Sequence, residues 1–249
     1  MLWHQKAGTG TPAILLLHGL GATAAVWTGV EHILQQRALG RWIAPDLSGH
    51  GRSAPQSRYS VGSLATELAE LIQDEPEAYI IGHSLGAYVA LALASGWFGV
   101  KVRGVVALGP KISWPEADIQ AARELAARPV RWYATAEEAW TRYRRVSGLD
   151  ATIAPDEKWL DRGITQGNQG WRLSQDPRTS EAAGAPFSTL VTSAQPRVVL
   201  ARGERDPMVS TAELNLHGQT THNIPNAGHN AHVENPAELV TLLESLLQT

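Results

Sequence analysis

No cysteine occurs in the 249 residues of this chain. A disulfide framework, a thiolate zinc site and a cysteine nucleophile are thereby excluded, although the absence does not fix the compartment. Charge of one sign is scarce as well: 21 Lys and Arg stand against 24 Asp and Glu, a net of −3. So small a balance creates no field toward nucleic acid or an anionic membrane. Long apolar runs are also missing. The run at 14–17 ends in His18-Gly19, far short of the roughly 20 residues that cross a bilayer. The opening Met1-Leu2-Trp3-His4-Gln5-Lys6 lacks the basic and apolar regions of a secretory signal. The expectation is a soluble, cytoplasmic protein with neither a nucleic-acid nor a membrane partner; its oligomeric state is not readable.

What is present is an apolar fraction of 43%, enough for a sizeable core. Short apolar runs recur at 13–17, 42–44, 78–81, 104–108, 198–201 and 221–224. Most lack in/out alternation, which suits strands buried on both faces of a parallel sheet. Helical patterns lie between them. Val61, Leu64, Ala65, Leu68, Leu71 and Ile72 make one apolar face within 61–73, 88–95 is almost wholly apolar, and 236–247 closes the chain with six aliphatic residues. Strand alternating with helix predicts an α/β fold with a mostly parallel central sheet flanked by helices. No internal repeat appears. The alternation breaks at 113–186, which reads as helices without strands: 115–127, 136–146 and 156–164. This gives a core of 1–112 and 187–249 with a helical insertion between two strands. Five of the nine tryptophans (Trp114, Trp132, Trp140, Trp159, Trp171) fall in that insertion. They could line an apolar or aromatic acyl pocket, or pack the insertion's own core. Arg142, Arg144 and Arg145 could meet an anionic substrate or simply face solvent.

The segment Gly82-His83-Ser84-Leu85-Gly86 follows an apolar run and precedes an Ala/Leu-rich one. Such a Gly-x-Ser-x-Gly turn lifts a serine hydroxyl above the sheet and aims a helix N-terminus at it. The bland alternative is a Gly-rich loop with an incidental serine. A serine nucleophile needs a base, and the base an orienting acid.

Four segments settle that choice. They are Leu17-His18-Gly19-Leu20-Gly21 with Trp27, Asp46 to Ser53, Gly82 to Gly86, and Arg202 to Asp206 followed by Asn226-Ala227-Gly228-His229. In this order the chain resembles the α/β-hydrolases over nearly its whole length. The resemblance implies Ser84 as nucleophile, Asp206 as acid (with Glu204 its local competitor) and His229 as base. His232, His222, His83, His18 and His50 are the other histidines weighed. His83 should point away from the apex, and His18 and His50 read as structural. The backbone N–H groups of Leu20 and Leu85 occupy the oxyanion-hole positions. Asp46–Ser53, tempting as a second site, reads as a structural turn. The insertion sits where the family carries a cap, and the short N-terminus implies a sheet one edge strand short of eight. The function implied is hydrolysis of a small carboxylic ester, lactone or thioester, without metal or cofactor. Alternatives on the same triad are C–C bond hydrolysis, lyase or perhydrolase chemistry, or a ligand-binding receptor with little turnover. Ser84 in place of Asp argues against epoxide and halide chemistry.

Overall fold

A computed structural model of the protein describes residues 1–149 and 162–248. Its central sheet has seven strands: β1 (His4–Ala7), β2 (Ala13–Leu17), β3 (Arg41–Pro45), β4 (Ala78–His83), β5 (Val102–Leu108), β8 (Arg197–Gly203) and β9 (Thr220–Ile224). Their order is β1-β3-β2-β4-β5-β8-β9. Only β1 runs antiparallel, against β3. The pattern of apolar runs had marked six of these strands. β1 escaped it because an edge strand with one solvated face needs no apolar run.

Period-two geometry explains the two cores. Along β2, Leu15 and Leu17 face one side while Ile14 and Leu16 face the other, and all four are buried. The first side packs under α2 (Val61–Leu71), α3 (Leu85–Ala94) and α6 (Phe187–Ser193). The second packs against α1 (Thr28–Gln36) and α9 (Pro236–Leu247). α2 is locally determined: Ser60 and Ser63 form a reciprocal capping box ahead of its apolar stripe. α3 has no polar face, since nine of its residues are buried. α1 was not anticipated; Val30 and Leu34 turn its inner face toward Trp27.

Register places the functional loops on one edge. Leu17 pairs with Gly82, His83 with Leu108, and Leu108 with Ala201. The C-terminal ends of β2, β4, β5 and β8 are therefore level, and ligands in open parallel sheets bind beyond those ends.

The reading of 113–186 as strand-free is corrected. Besides α4 (Glu116–Ala126) and α5 (Ala136–Val146), it contains a hairpin of β6 (Ile164–Gly167) and β7 (Gly170–Leu173). Its strands have four residues each, none fully buried, and a polar Asn168-Gln169 turn, so no apolar run announces them. Trp171 in β7 also exchanges two backbone hydrogen bonds with Tyr133. The helix expected at 156–164 lies outside the described residues up to 161, and Ile164 opens β6. Short helices α7 (Thr211–Asn215) and α8 (Ala231–Glu234) complete the chain. No helix among the described residues is long and apolar enough to cross a membrane.

Candidate active site

Ser84 sits between β4 and α3 with φ 50° and ψ −111°. That left-handed backbone costs a non-glycine residue about 1–3 kcal/mol. Packing on both sides enforces it. A Cβ at Gly82 would lie 2.2 Å from the Gly86 carbonyl oxygen, and one at Gly86 would lie 2.2 Å from the Leu17 carbonyl oxygen. Both glycines are thus required by close backbone approach. The serine amide donates to the Leu108 carbonyl at 2.8 Å. Strand and helix leave the hydroxyl at the rim of a cavity of about 320 Å³, which Ser84, His229, Leu20 and Leu85 all line.

Asp206 follows β8 and is 5% exposed, its carboxylate closed off from solvent. One oxygen accepts from the Met208 amide at 2.8 Å; the other lies 3.0 Å from His229 Nδ1. That contact places the imidazole proton on Nδ1 and leaves Nε2 as an acceptor. Gly109 brings the end of β5 against this pair: a Cβ there would lie 3.2 Å from Asp206 Oδ2 and 3.3 Å from the His229 ring. Glu204, the competing acid, is exposed and accepts from the Asn226 amide.

The loop after β2 closes the other side. A Cβ at Gly19 would lie 2.9 Å from His83 Nδ1 and 3.2 Å from Ser84 Cβ, so the loop passes close to both residues. Among the described residues, the N–H groups of Leu20 and Leu85 donate to nothing in the protein. The loop is pinned by the Asp46–Ser53 turn, which behaves as the structural element expected. His18 Nε2 accepts from the Leu47 amide (2.9 Å) and His50 Nε2 from the Gly21 amide (3.1 Å), while Asp46 Oδ1 accepts from the Ala24 amide (2.8 Å). Both histidines must stay neutral to accept. Burial supports this, lowering His18 to about 4 and His50 to about 3.

The remaining histidines separate cleanly. His222 of β9 pairs with Glu238 of α9 at 3.1 Å. His232 is fully buried, its ring 4.7 Å from Trp27, and burial lowers it to about 3. His83 was expected to point away from the apex. It is buried and lines the Ser84 cavity, donating from Nε2 to the His229 carbonyl at 3.0 Å with the two rings 4.7 Å apart. Burial, then His232 and His229, holds it well below the ordinary histidine range. It props the His229 loop, a contact that adjacency to Ser84 in sequence does not reveal.

A profile of the alpha/beta hydrolase family matches residues 14–242. The chain belongs to that family. Among curated relatives of this α/β-hydrolase, an uncharacterized protein of Mycobacterium bovis is 46% identical over 91 residues, 35% of this chain; the chain spans about a quarter (26%) of that protein's length. An esterase of Mycobacterium tuberculosis is 28% identical over 263 residues, 97% of this chain and 85% of the esterase. Among solved structures, E-2-(acetamidomethylene)succinate hydrolase superposes with a TM-score of 0.82 at 23% identity, covering 100% of this chain and 95% of that one. Identity this low speaks to the fold alone.

This α/β-hydrolase uses its tryptophans unevenly. Trp114 lines the cavity, its Nε1 donating to the Tyr88 hydroxyl at 3.0 Å, and Tyr88 donates on to the Lys111 carbonyl. Burial pushes Tyr88 up to about 12, so it stays a neutral hydroxyl. Trp140 instead stacks on Tyr143 in the core shared with Trp27. Trp132 packs over Gly167 of the hairpin, and Trp159 lies outside the described residues. Arg145 lines the Ser84 cavity, whereas Arg142 lines a neighbouring one.

Proposed function

We propose that this α/β-hydrolase is a serine hydrolase that cleaves a small carboxylic ester, lactone or thioester through an acyl-enzyme. The observation carrying this reading is the 3.0 Å contact between His229 Nδ1 and the buried Asp206 carboxylate, on a histidine that lines the same cavity as Ser84. Ser84 Oγ attacks the carbonyl carbon as its proton passes to His229 Nε2, and the carbonyl electron pair moves onto oxygen. The unclaimed N–H groups of Leu20 and Leu85 meet that oxyanion; losing one such donor typically costs about 10²–10³ in turnover. Collapse of the tetrahedral intermediate breaks the bond to the leaving oxygen or sulfur, which takes the proton from the imidazolium. Water repeats the sequence and frees the acid and the serine. Asp206 holds the imidazole in its working tautomer and stabilises its charged form. These steps need no metal or organic cofactor.

The cavity is mostly apolar and small for a ligand pocket, which suits a compact apolar or aromatic acyl group. Residues 113–186 serve as its cap: Trp114, Val146 and Gly184 of that stretch complete the wall. The test is hydrolysis of p-nitrophenyl acetate and butyrate by wild type and Ser84→Ala. Wild type should show a burst and then turnover, and Ser84→Ala should lose up to about 10⁶ of it. Equal rates in the two proteins would remove Ser84 as nucleophile.

A further inference from the structure

Behind the oxyanion loop lies a second cleft of about 220 Å³, between the end of α4, α5 and the segment following β7. Leu20 and Val146 line both this cleft and the Ser84 cavity, so the two spaces adjoin at these residues. The cleft's charge is one-sided. Arg128, Arg131 and Arg142 line it, and no Asp or Glu does. Among the described residues none of the three forms an ion pair, although other cations of the insertion do: Arg123 with Glu116 and Arg178 with Asp176. In a chain of net charge −3, three uncompensated guanidiniums around one opening are not a consequence of composition. Guanidinium stays charged at any working pH, and its planar fork matches an oxo-acid. Arg131 is steadied over the Tyr133 ring at 5.0 Å. In the wall, Ser180 is 2% exposed and its hydroxyl has no partner among the described residues, a condition that costs free energy until something bonds to it.

We propose that this cleft is an anion subsite of the active site, taking a carboxylate or phosphate carried by the substrate beyond its scissile bond. This rests on the hydrolase reading above and deepens it: the substrate class becomes anionic esters or thioesters that reach past Leu20 and Val146. Arg128, Arg131 and Arg142 supply the counter-charge.

Two matched pairs separate the sources of the anion. For a carboxylate on the acyl group, mono-p-nitrophenyl glutarate is compared with p-nitrophenyl butyrate. For phosphate on the leaving group, butyryl-coenzyme A is compared with S-butyryl-N-acetylcysteamine. Wild type should favour the anionic member of at least one pair in kcat/KM. That preference should fall about tenfold or more in Arg128→Gln/Arg131→Gln/Arg142→Gln, mainly through KM, and shrink with added salt. Arg142→Lys, which keeps the charge, should retain more of the preference than Arg142→Gln. Calorimetry of Ser84→Ala with the same two anionic compounds gives a readout independent of turnover; affinity should drop by a similar factor on adding the three glutamines. Turnover without an anionic preference, or a preference that survives the triple change, overturns the subsite and leaves hydrolysis standing. Binding that depends on the arginines without turnover of any compound by wild type overturns hydrolysis and leaves the subsite standing.

Discussion

A methyl group added at Gly86, on the C-terminal edge of the sheet, would sit 2.2 Å from the Leu17 carbonyl oxygen. One added at Gly167, in the β6–β7 hairpin, would meet the far end of the Trp132 ring at 2.6 Å. The first collision is backbone on backbone, between elements locked by strand register and helix packing. The second is with a partly exposed side chain that can swing away. The same contrast runs through both regions. At the edge, loops are fixed by buried bonds from His18, His50 and Asp46 to main-chain amides. In the insertion, α4 buries no residue and Arg123–Glu116 is an exposed ion pair, a contact worth at most about 1 kcal/mol. The covalent catalysis proposed for the edge needs its groups held to a fraction of an ångström, whereas the substrate wall proposed for the insertion can vary without disturbing them.

The largest effect that tests this contrast is on the Asp206–His229 contact. Asp206→Asn keeps the shape but favours the wrong imidazole tautomer, so kcat should fall by about 10⁴ with little change in melting temperature. A loss below tenfold would mean that the edge does not hold its chemistry as described.

Gly86→Ala should destabilise the protein by about 1–3 kcal/mol, because either α3 or the loop after β2 must shift. Denaturant unfolding measures this, and any turnover of p-nitrophenyl butyrate should fall with it.

Acid should unfasten the edge before the insertion. His18, His50 and His232 are held neutral down to about 4, 3 and 3, whereas in the unfolded chain they take up protons near 6.5. The unfolded state therefore binds more protons below pH 6.5, and the stability these residues contribute is complete above that pH and is lost as pH falls below it. Glu31, raised by burial to about 7, acts in the opposite sense, since its folded form keeps a proton as pH rises from 4.5. His83, also lowered, joins the other histidines, and Asp46, raised by burial, joins Glu31; with four histidines against two carboxyls, stability should decline from pH 7 to 5, by roughly 1.4 kcal/mol per pH unit for each uncompensated proton. Urea midpoints at the two pH values check this, and equal midpoints would mean that these histidines are not held neutral. The smallest effect is Gly167→Ala, expected to cost less than about 1 kcal/mol. A cost matching that of Gly86→Ala would erase the distinction between the regions.

Legibility in the sequence follows the same divide. Doubly buried strands such as β2 and β4 need unbroken apolar runs, and an elbow packed this closely needs glycine on both sides of Ser84, so both leave marks in the sequence. The hairpin left none, because four-residue, half-exposed strands tolerate Gln166 and Arg172. The role of His83 was hidden because its partner, the His229 carbonyl, is 146 residues away. Trp114 and Trp140 are alike in sequence, yet one lines the cavity and the other fills a core; their places depend on which neighbours α3 and α5 present.

By itself the amino-acid sequence determined the α/β alternation and the Gly-x-Ser-x-Gly turn, because each depends on short-range periodicity or on residues a few positions apart; the expectation for Asp206 and His229, both far from Ser84 along the chain, came from the resemblance to the α/β-hydrolases. Only the tertiary structure decided that Asp206 rather than Glu204 faces His229, that His18 and His50 pin the loop close to Ser84, and that Arg128, Arg131 and Arg142 converge on one cleft. Those outcomes follow from the register of β5, β8 and β9 and from the docking of α4 and α5, which bring together groups that no local pattern relates.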